Sequence, residues 1–160
     1  MKKRFLHIVA FFALAAGLSL TSCTKEDPAE AVNISALETG TITGIAHATL
    51  DATLPVTTLQ FAPQGTVIFL TIQNSALGAG NGVYRVSTTV GTNGTFTFSN
   101  VPTKNAGVTA TITGDAFKAV YRMSPTQTQT RVFEGASGSA FVVPGGNAFE
   151  TISYFSSKFE

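Results

Sequence analysis

Gly82-Val-Tyr-Arg-Val-Ser-Thr-Thr-Val-Gly-Thr-Asn-Gly-Thr-Phe-Thr-Phe-Ser-Asn-Val-Pro102 reads as two strands around a turn. Tyr84, Val86 and Val90 fall on one side of the first strand, and Arg85, Ser87 and Thr89 on the other. On the return, Phe96 and Phe98 alternate with Thr95 and Thr97. A period of two places one face of each segment on a core and leaves the other to solvent. Asn93-Gly94 accepts the positive φ of a tight turn, so the stretch predicts a β-hairpin. Val101-Pro102 ends it, because proline has no N–H to donate to a ladder.

The same pattern extends in both directions. Thr41 to Leu50 sets Ile42, Gly44, Ala46, Ala48 and Leu50 against Thr43, Ile45, His47, Thr49 and Asp51. Asp51 to Pro63 is a connection holding Pro55 and Pro63, with Leu59 and Phe61 as a candidate edge segment. Thr66 to Ile72 is apolar on both faces and predicts a central, doubly covered strand. Asn74 to Gly82 reads as a Gly-rich loop. Val108, Ala110 and Ile112 alternate with threonines, and Phe117, Ala119, Tyr121 and Met123 with Lys118, Val120 and Arg122. Ser124 to Thr130 reads as a polar loop, followed by strands at Arg131–Glu134, Ser139–Val143 and Phe149–Phe155. Eight or nine short strands and no long helix predict an all-β fold, an antiparallel β-sandwich of the prealbumin or immunoglobulin-like kind, with a small β-barrel as the other architecture.

The N-terminal residues carry a different message. Met1-Lys2-Lys3-Arg4 precedes a run from Phe5 to Leu20 that is apolar apart from His7 and Ser19. That run is shorter than the ~20 residues of a membrane span, so residues 1–22 read as a secretory signal peptide. Leu20-Thr21-Ser22-Cys23 places the chain's single cysteine directly after the cut. The arrangement resembles a bacterial lipoprotein signal, which implies a lipidated Cys23 and a membrane partner through the lipid anchor. Each buried CH₂ of an acyl chain adds ~0.8 kcal/mol, so two or three chains hold firmly. Lys25-Glu26-Asp27 is similar to the export signal that follows the cysteine in Bacteroidetes outer-membrane lipoproteins, which implies exposure at the cell surface. Residues 23–39 then read as a lipidated tether, so that truncating residues 24–38 is expected to leave the melting temperature almost unchanged, and residues 40–160 as the domain.

Loss of the signal leaves 138 of the 160 residues, enough for one domain with a real core. Lys2, Lys3 and Arg4 leave with it, so seven basic residues face nine acidic ones. A sparsely charged chain without a basic cluster has no footprint for nucleic acid. With Cys23 lipidated no thiol remains, so burial must hold the domain together without disulfides.

Searching for chemistry yields little. His47 and Asp51 are four residues apart, ~13 Å along a strand, too far to hydrogen-bond unless the chain turns. Gly135-Ala136-Ser137-Gly138 only echoes the strained serine turn of a hydrolase. Carboxylates outside the tether are widely spaced, and neither a calcium loop nor a zinc ligand set occurs. Gly78-Ala79-Gly80-Asn81-Gly82 precedes a strand and lacks a lysine, so it does not read as a phosphate cradle. The pattern predicts no catalytic residues, no metal and no cofactor. Phe133, Phe149 and Phe155 are left unassigned between core and surface.

The run from Gly82 to Pro102, with Ile42-Thr43-Gly44 and Gly65-Thr66-Val67-Ile68-Phe69-Leu70 upstream, resembles prealbumin-like modules, the carboxypeptidase regulatory-like domains among them. The resemblance spans roughly residues 40 to 115 and its motifs are structural. It supports the fold more than any activity; the anchor, the tether, Lys25-Glu26-Asp27 and the lack of catalytic groups instead point to a non-enzymatic binding or assembly module, serving adhesion, glycan binding or fimbria-like assembly, with glycans and other surface proteins as candidate partners. A periplasm-facing structural or accessory envelope lipoprotein is the alternative, and a hydrolase the distant one.

Overall fold

The computed structural model describes residues 33–157. Nine strands follow in order: β1 (Thr39–Ala48), β2 (Val67–Gln73), β3 (Val83–Thr89), β4 (Thr95–Pro102), β5 (Val108–Gly114), β6 (Phe117–Ser124), β7 (Gln127–Gly135), β8 (Ser137–Val142) and β9 (Asn147–Ser156). They form two sheets, β4-β1-β9-β7-β6 and β3-β2-β5-β8, stacked as a sandwich. Every pairing is antiparallel except β1 with β9, which run parallel from Thr41↔Asn147 to Ala48↔Tyr154. The last strand thus locks beside the first in the middle of the larger sheet.

The alternation read from sequence is what fills the core. Ile42, Ala46, Phe96, Phe98, Phe133, Ile152 and Tyr154 point inward from one sheet, and Ile68, Leu70, Ile72, Val108, Ala110, Ile112, Ala140 and Val142 from the other. Fully burying each large aliphatic or Phe side chain contributes about 1.5–3 kcal/mol. Around Phe133 the rings form a nest, with Phe117 stacked at 5.1 Å and Phe117 against Tyr154 at 4.9 Å. Burial, with the Asp115 carboxylate second, pushes the Tyr154 phenol up to about 12. Phe133 is therefore core, whereas Phe149 and Phe155 are surface.

Several expectations need correction. The Gly91–Gly94 turn is not the tip of a paired hairpin. Gly91 N–H donates to Thr95 O at 2.8 Å, but from there the chain splits, β3 joining one sheet and β4 the other. Both strands still face their apolar side inward, now across the core from one another. One-sided alternation is the same in either arrangement, so the pattern alone does not separate them. The expected polar loop Ser124–Thr130 is a two-residue turn, Pro125-Thr126, with β7 already begun at Gln127. β7 meets β9 only from Phe133 to Gly135, so the far half of the hairpin has little to cover and is free to be polar. β2 is central, but only Ile68, Leu70 and Ile72 are buried; Val67 and Phe69 are half-exposed. The Gly-rich loop begins with a single helical turn, α1 (Asn74–Leu77), which buries Leu77.

The tether boundary also moves. Ile34–Ala36 form a 3-10 turn in which the Asn33 side chain accepts the Ser35 N–H at 3.1 Å. Ile34 and Leu37 pack on the core, the Thr103 N–H donates to Glu38 O at 2.8 Å, and β1 begins at Thr39. Residues 33–39 are thus part of the folded domain. The signal peptide, Cys23, Lys25, Glu26 and Asp27 lie outside the described residues.

Candidate binding face and its hollow

On the outer side of β4, β1 and β9 the pairing registers set side chains in rows. Thr97, Thr43 and Phe149 form one row, Thr95, Ile45 and Thr151 the next, and His47 and Ser153 a third. Phe155 follows Ser153 two residues on along β9, with Glu134 of β7 opposite it. The outward residues of these three strands include no Asp, Glu, Lys or Arg; Glu134 is the first charge reached on the β7 side. Phe149 and Phe155 leave 61% and 64% of their surface in solvent. Strands present rings this openly at a cost in apolar exposure, and such patches commonly mark contact sites.

At the Phe155 end the sheet runs into the connection between β1 and β2. A hollow of about 260 Å³ opens there, lined by His47, Thr49, Val56, Thr58, Leu59, Gln60, Ser153 and Phe155 among others. Val56 and Leu59 are exposed on its rim. Its wall is a continuation of the sheet: Ala48 N–H donates to Gln60 O at 3.1 Å, Ala62 N–H to Ala46 O at 2.9 Å, and His47 pairs with Phe61. Of the expected edge segment, Phe61 is present as a single bridge, while Leu59 lies exposed outside it. The Phe61 ring stacks on the His47 imidazole at 5.4 Å, and its other neighbour is Gly94, whose φ is +72°. A Cβ at Gly94 would press into that ring, so the turn between the sheets has to be glycine for Phe61 to sit where it does.

The loop is stapled rather than loose. Gln60 Oε1 accepts from Leu50 N–H at 2.8 Å and Asp51 N–H at 2.7 Å, while its Nε2 donates to Asp51 O at 2.9 Å. The Asp51 carboxylate accepts from Thr53 N–H and Oγ1–H, at 2.9 and 2.6 Å, and pairs with Arg122 at 3.6 Å. The Thr53 hydroxyl has the largest effect on Asp51 and lowers its pKa from the usual 3.8; desolvation comes second and opposes it, and the Thr53 N–H and Arg122 lower it further. Backbone bonds bring Arg122 to the same place, its N–H donating to Leu50 O and its O accepting from Ala52 N–H, both at 2.8 Å.

The smaller sheet carries an outer face of the same chemistry. Ser87, Phe69, Thr113 and Ser137 form one row, Arg85, Thr71, Thr111 and Ser139 another, and Thr109 with Phe141 a third. Here one of the two rings is covered. The Arg85 guanidinium lies 4.1 Å over Phe69. Phe141, 59% exposed, leans on the turn at Gly107, where a Cβ would meet its ring. Phe149 and Phe155 have no such cap among the described residues.

The residues weighed for catalysis are not assembled. His47 is engaged with Phe61, and the Asp51 carboxylate with Thr53 and Arg122. Ser137 opens β8 on an exposed face, not at a strand-to-helix turn. Among the described residues no three His, Cys, Asp or Glu side chains come together as a metal site. Residues Gly78–Gly82 follow a single helical turn and lead into β3. The hollow itself was missed, because the connection looked like a proline-punctuated link. Its signal is Val56 and Leu59, two large apolar residues in a segment with no alternation to bury them.

Fold and site together define, among the described residues, a nine-stranded β-sandwich in which the outer side of β4, β1 and β9 is uncharged and rich in hydroxyls, with two open aromatic rings and a hollow beside one of them. No family model and no curated protein matches the chain. One solved structure similar to it is a proposed carbohydrate binding protein from Pseudomonas aeruginosa. It aligns over 73% of this chain and 89% of its own, with a TM-score of 0.42 and 14% identity. A likeness that slight carries no argument about what this chain binds.

Proposed function

We propose that the mature chain is a lipid-anchored, non-enzymatic module that binds carbohydrate on the outer face of β4, β1 and β9. The observation that carries the reading is the pair Phe149 and Phe155, uncapped among the described residues, on a face whose other side chains are mostly hydroxyls. A sugar ring offers C–H groups on its faces and hydroxyls at its edge. An open aromatic ring with Thr, Ser and His beside it complements both. The lipid anchor at Cys23, surface export through Lys25-Glu26-Asp27 and kinship with prealbumin-like modules belong to the same proposal and rest on sequence resemblance.

Retention of the purified full chain on immobilised polysaccharides tests the binding. Phe155→Ala should lose retention and Phe141→Ala should keep it, with both melting like the wild type. Retention of neither or both variants on the same polysaccharide would overturn the assignment of the face. Cys23→Ala should move the protein out of the membrane fraction. Protease shaving of intact cells should cleave the native protein and spare a Lys25-Glu26-Asp27→Ala triple variant. If the native protein is protected, the domain faces the periplasm and its carbohydrate is sought in the envelope.

A further inference from the structure

Resting on that reading, we infer that the ligand is a neutral, linear oligosaccharide that lies along β9, one end in the hollow beside Phe155 and the chain running on to Phe149. Three observations lead there. The first is spacing. Phe149 and Phe155 face the same way six residues apart, roughly 20 Å in a strand, the length of several sugar rings in line. One sugar can touch only one of them, so two open rings on one track serve a chain. The second is continuity. Thr151 and Ser153 fill the interval on β9, with Thr43, Ile45 and His47 alongside on β1. Every outward position between the two rings is therefore occupied, mostly by groups that donate and accept hydrogen bonds.

The third observation is charge. Among the described residues the track holds no Lys or Arg to pair with a uronate, sulfate or sialic carboxylate, and the carboxylate set opposite Phe155, Glu134, repels an anion. A cationic sugar would find a single carboxylate at one end only. The two ends of the track also differ. At Phe155 the stapled loop closes a hollow of about 260 Å³, whereas at Phe149 the sheet runs on toward the Pro144-Gly145-Gly146 turn. The chain is consequently gripped at one end and laid out along the strand at the other.

Titration calorimetry on the full chain tests this, with maltohexaose, cellohexaose, xylohexaose and mannohexaose, their disaccharides, and hexagalacturonate. One neutral hexasaccharide should bind at least about tenfold tighter than its disaccharide. Phe149→Ala should erase that advantage and leave the disaccharide affinity unchanged, while Phe155→Ala should weaken both. Equal affinity for the two lengths, no effect of Phe149→Ala, or equal or better binding of hexagalacturonate would overturn the neutral-chain inference; continued weakening by Phe155→Ala would then leave the carbohydrate reading standing. If no oligosaccharide binds, or binding ignores both substitutions, the carbohydrate reading fails and takes the inference with it. Both side chains are exposed, so matched melting curves separate lost binding from lost fold.

Discussion

The two outer faces of the sandwich start from the same material and end differently. Each is a carpet of Thr and Ser with two Phe residues, written by the same alternation. On the face of β3, β2, β5 and β8, Arg85 covers Phe69 and the Gly107 turn takes Phe141. On the face of β4, β1 and β9, Phe149 and Phe155 stay open, and the protein's own packing goes into the rim instead: Phe61 on His47, Gln60 under residues 50 and 51. Composition does not distinguish a finished surface from a waiting one. What distinguishes them, among the described residues, is that Arg85 covers the Phe69 ring on one face, while on the other both rings are open and the face ends in a hollow.

Substituting the two turn glycines gives the sharpest contrast. Gly94 and Gly107 have nearly the same φ, +72° and +75°, and each lies under a phenylalanine ring. A left-handed non-glycine residue costs roughly 1–2 kcal/mol in either place. Phe61 is held between His47 and the strand bridge, so Gly94→Ala adds overpacking and should cost about 3 kcal/mol in all. Phe141 is free to swing outward, so Gly107→Ala should cost only the backbone part. Denaturant melts of the two variants decide the matter, and equal losses would mean that Phe61 is no better anchored than Phe141.

Gln60→Ala comes next. It leaves the Leu50 and Asp51 N–H groups without their acceptor, at a cost of about 1–3 kcal/mol. Polysaccharide retention should fall with it if the hollow is a preformed grip. Unchanged retention at reduced stability would separate the loop from the site.

On the opposite face, Arg85→Ala removes a cation–π contact at an exposed position, worth about 0.5–1 kcal/mol, and should leave retention untouched. A loss of binding there would place the ligand on the wrong sheet in the present account.

The smallest effect is one of pH. Asp51 has a lowered pKa in the folded chain, so its contribution is present above the unfolded value near 3.8 and is lost as pH falls through the lower, folded one. Backbone amide exchange in residues 50–54 should therefore hold steady from neutral pH down to about 4 once corrected for intrinsic rates, and quicken only below it. Quickening already at pH 6 would implicate another group.

Much of this was legible in the residues. The alternation of β1, β4 and β5 places their inward side chains correctly, because one-sided burial imposes alternation whatever the strand pairs with. Ile42, Ala46, Phe96, Phe98, Ala110 and Ile112 could be named as core before any fold existed. The boundaries were less secure. Ile34 and Leu37 sit in a segment with no period, and only their docking on the core shows that the domain begins there. The polar run from Gln127 looked like a loop because an overhanging hairpin has no buried face to write into the sequence.

The sequence by itself determined the strand content, the identity of the core and the poverty of charge on both faces. Those properties depend on each residue's own position in a repeat of two. Only the tertiary structure decided that β3 and β4 part at Gly91–Gly94, that β9 returns to lie parallel to β1, and that Phe149 and Phe155 emerge exposed on one face with a hollow at the Phe155 end. Those outcomes turn on which distant segment comes alongside which, and an alternating strand carries the same pattern beside any of several neighbours.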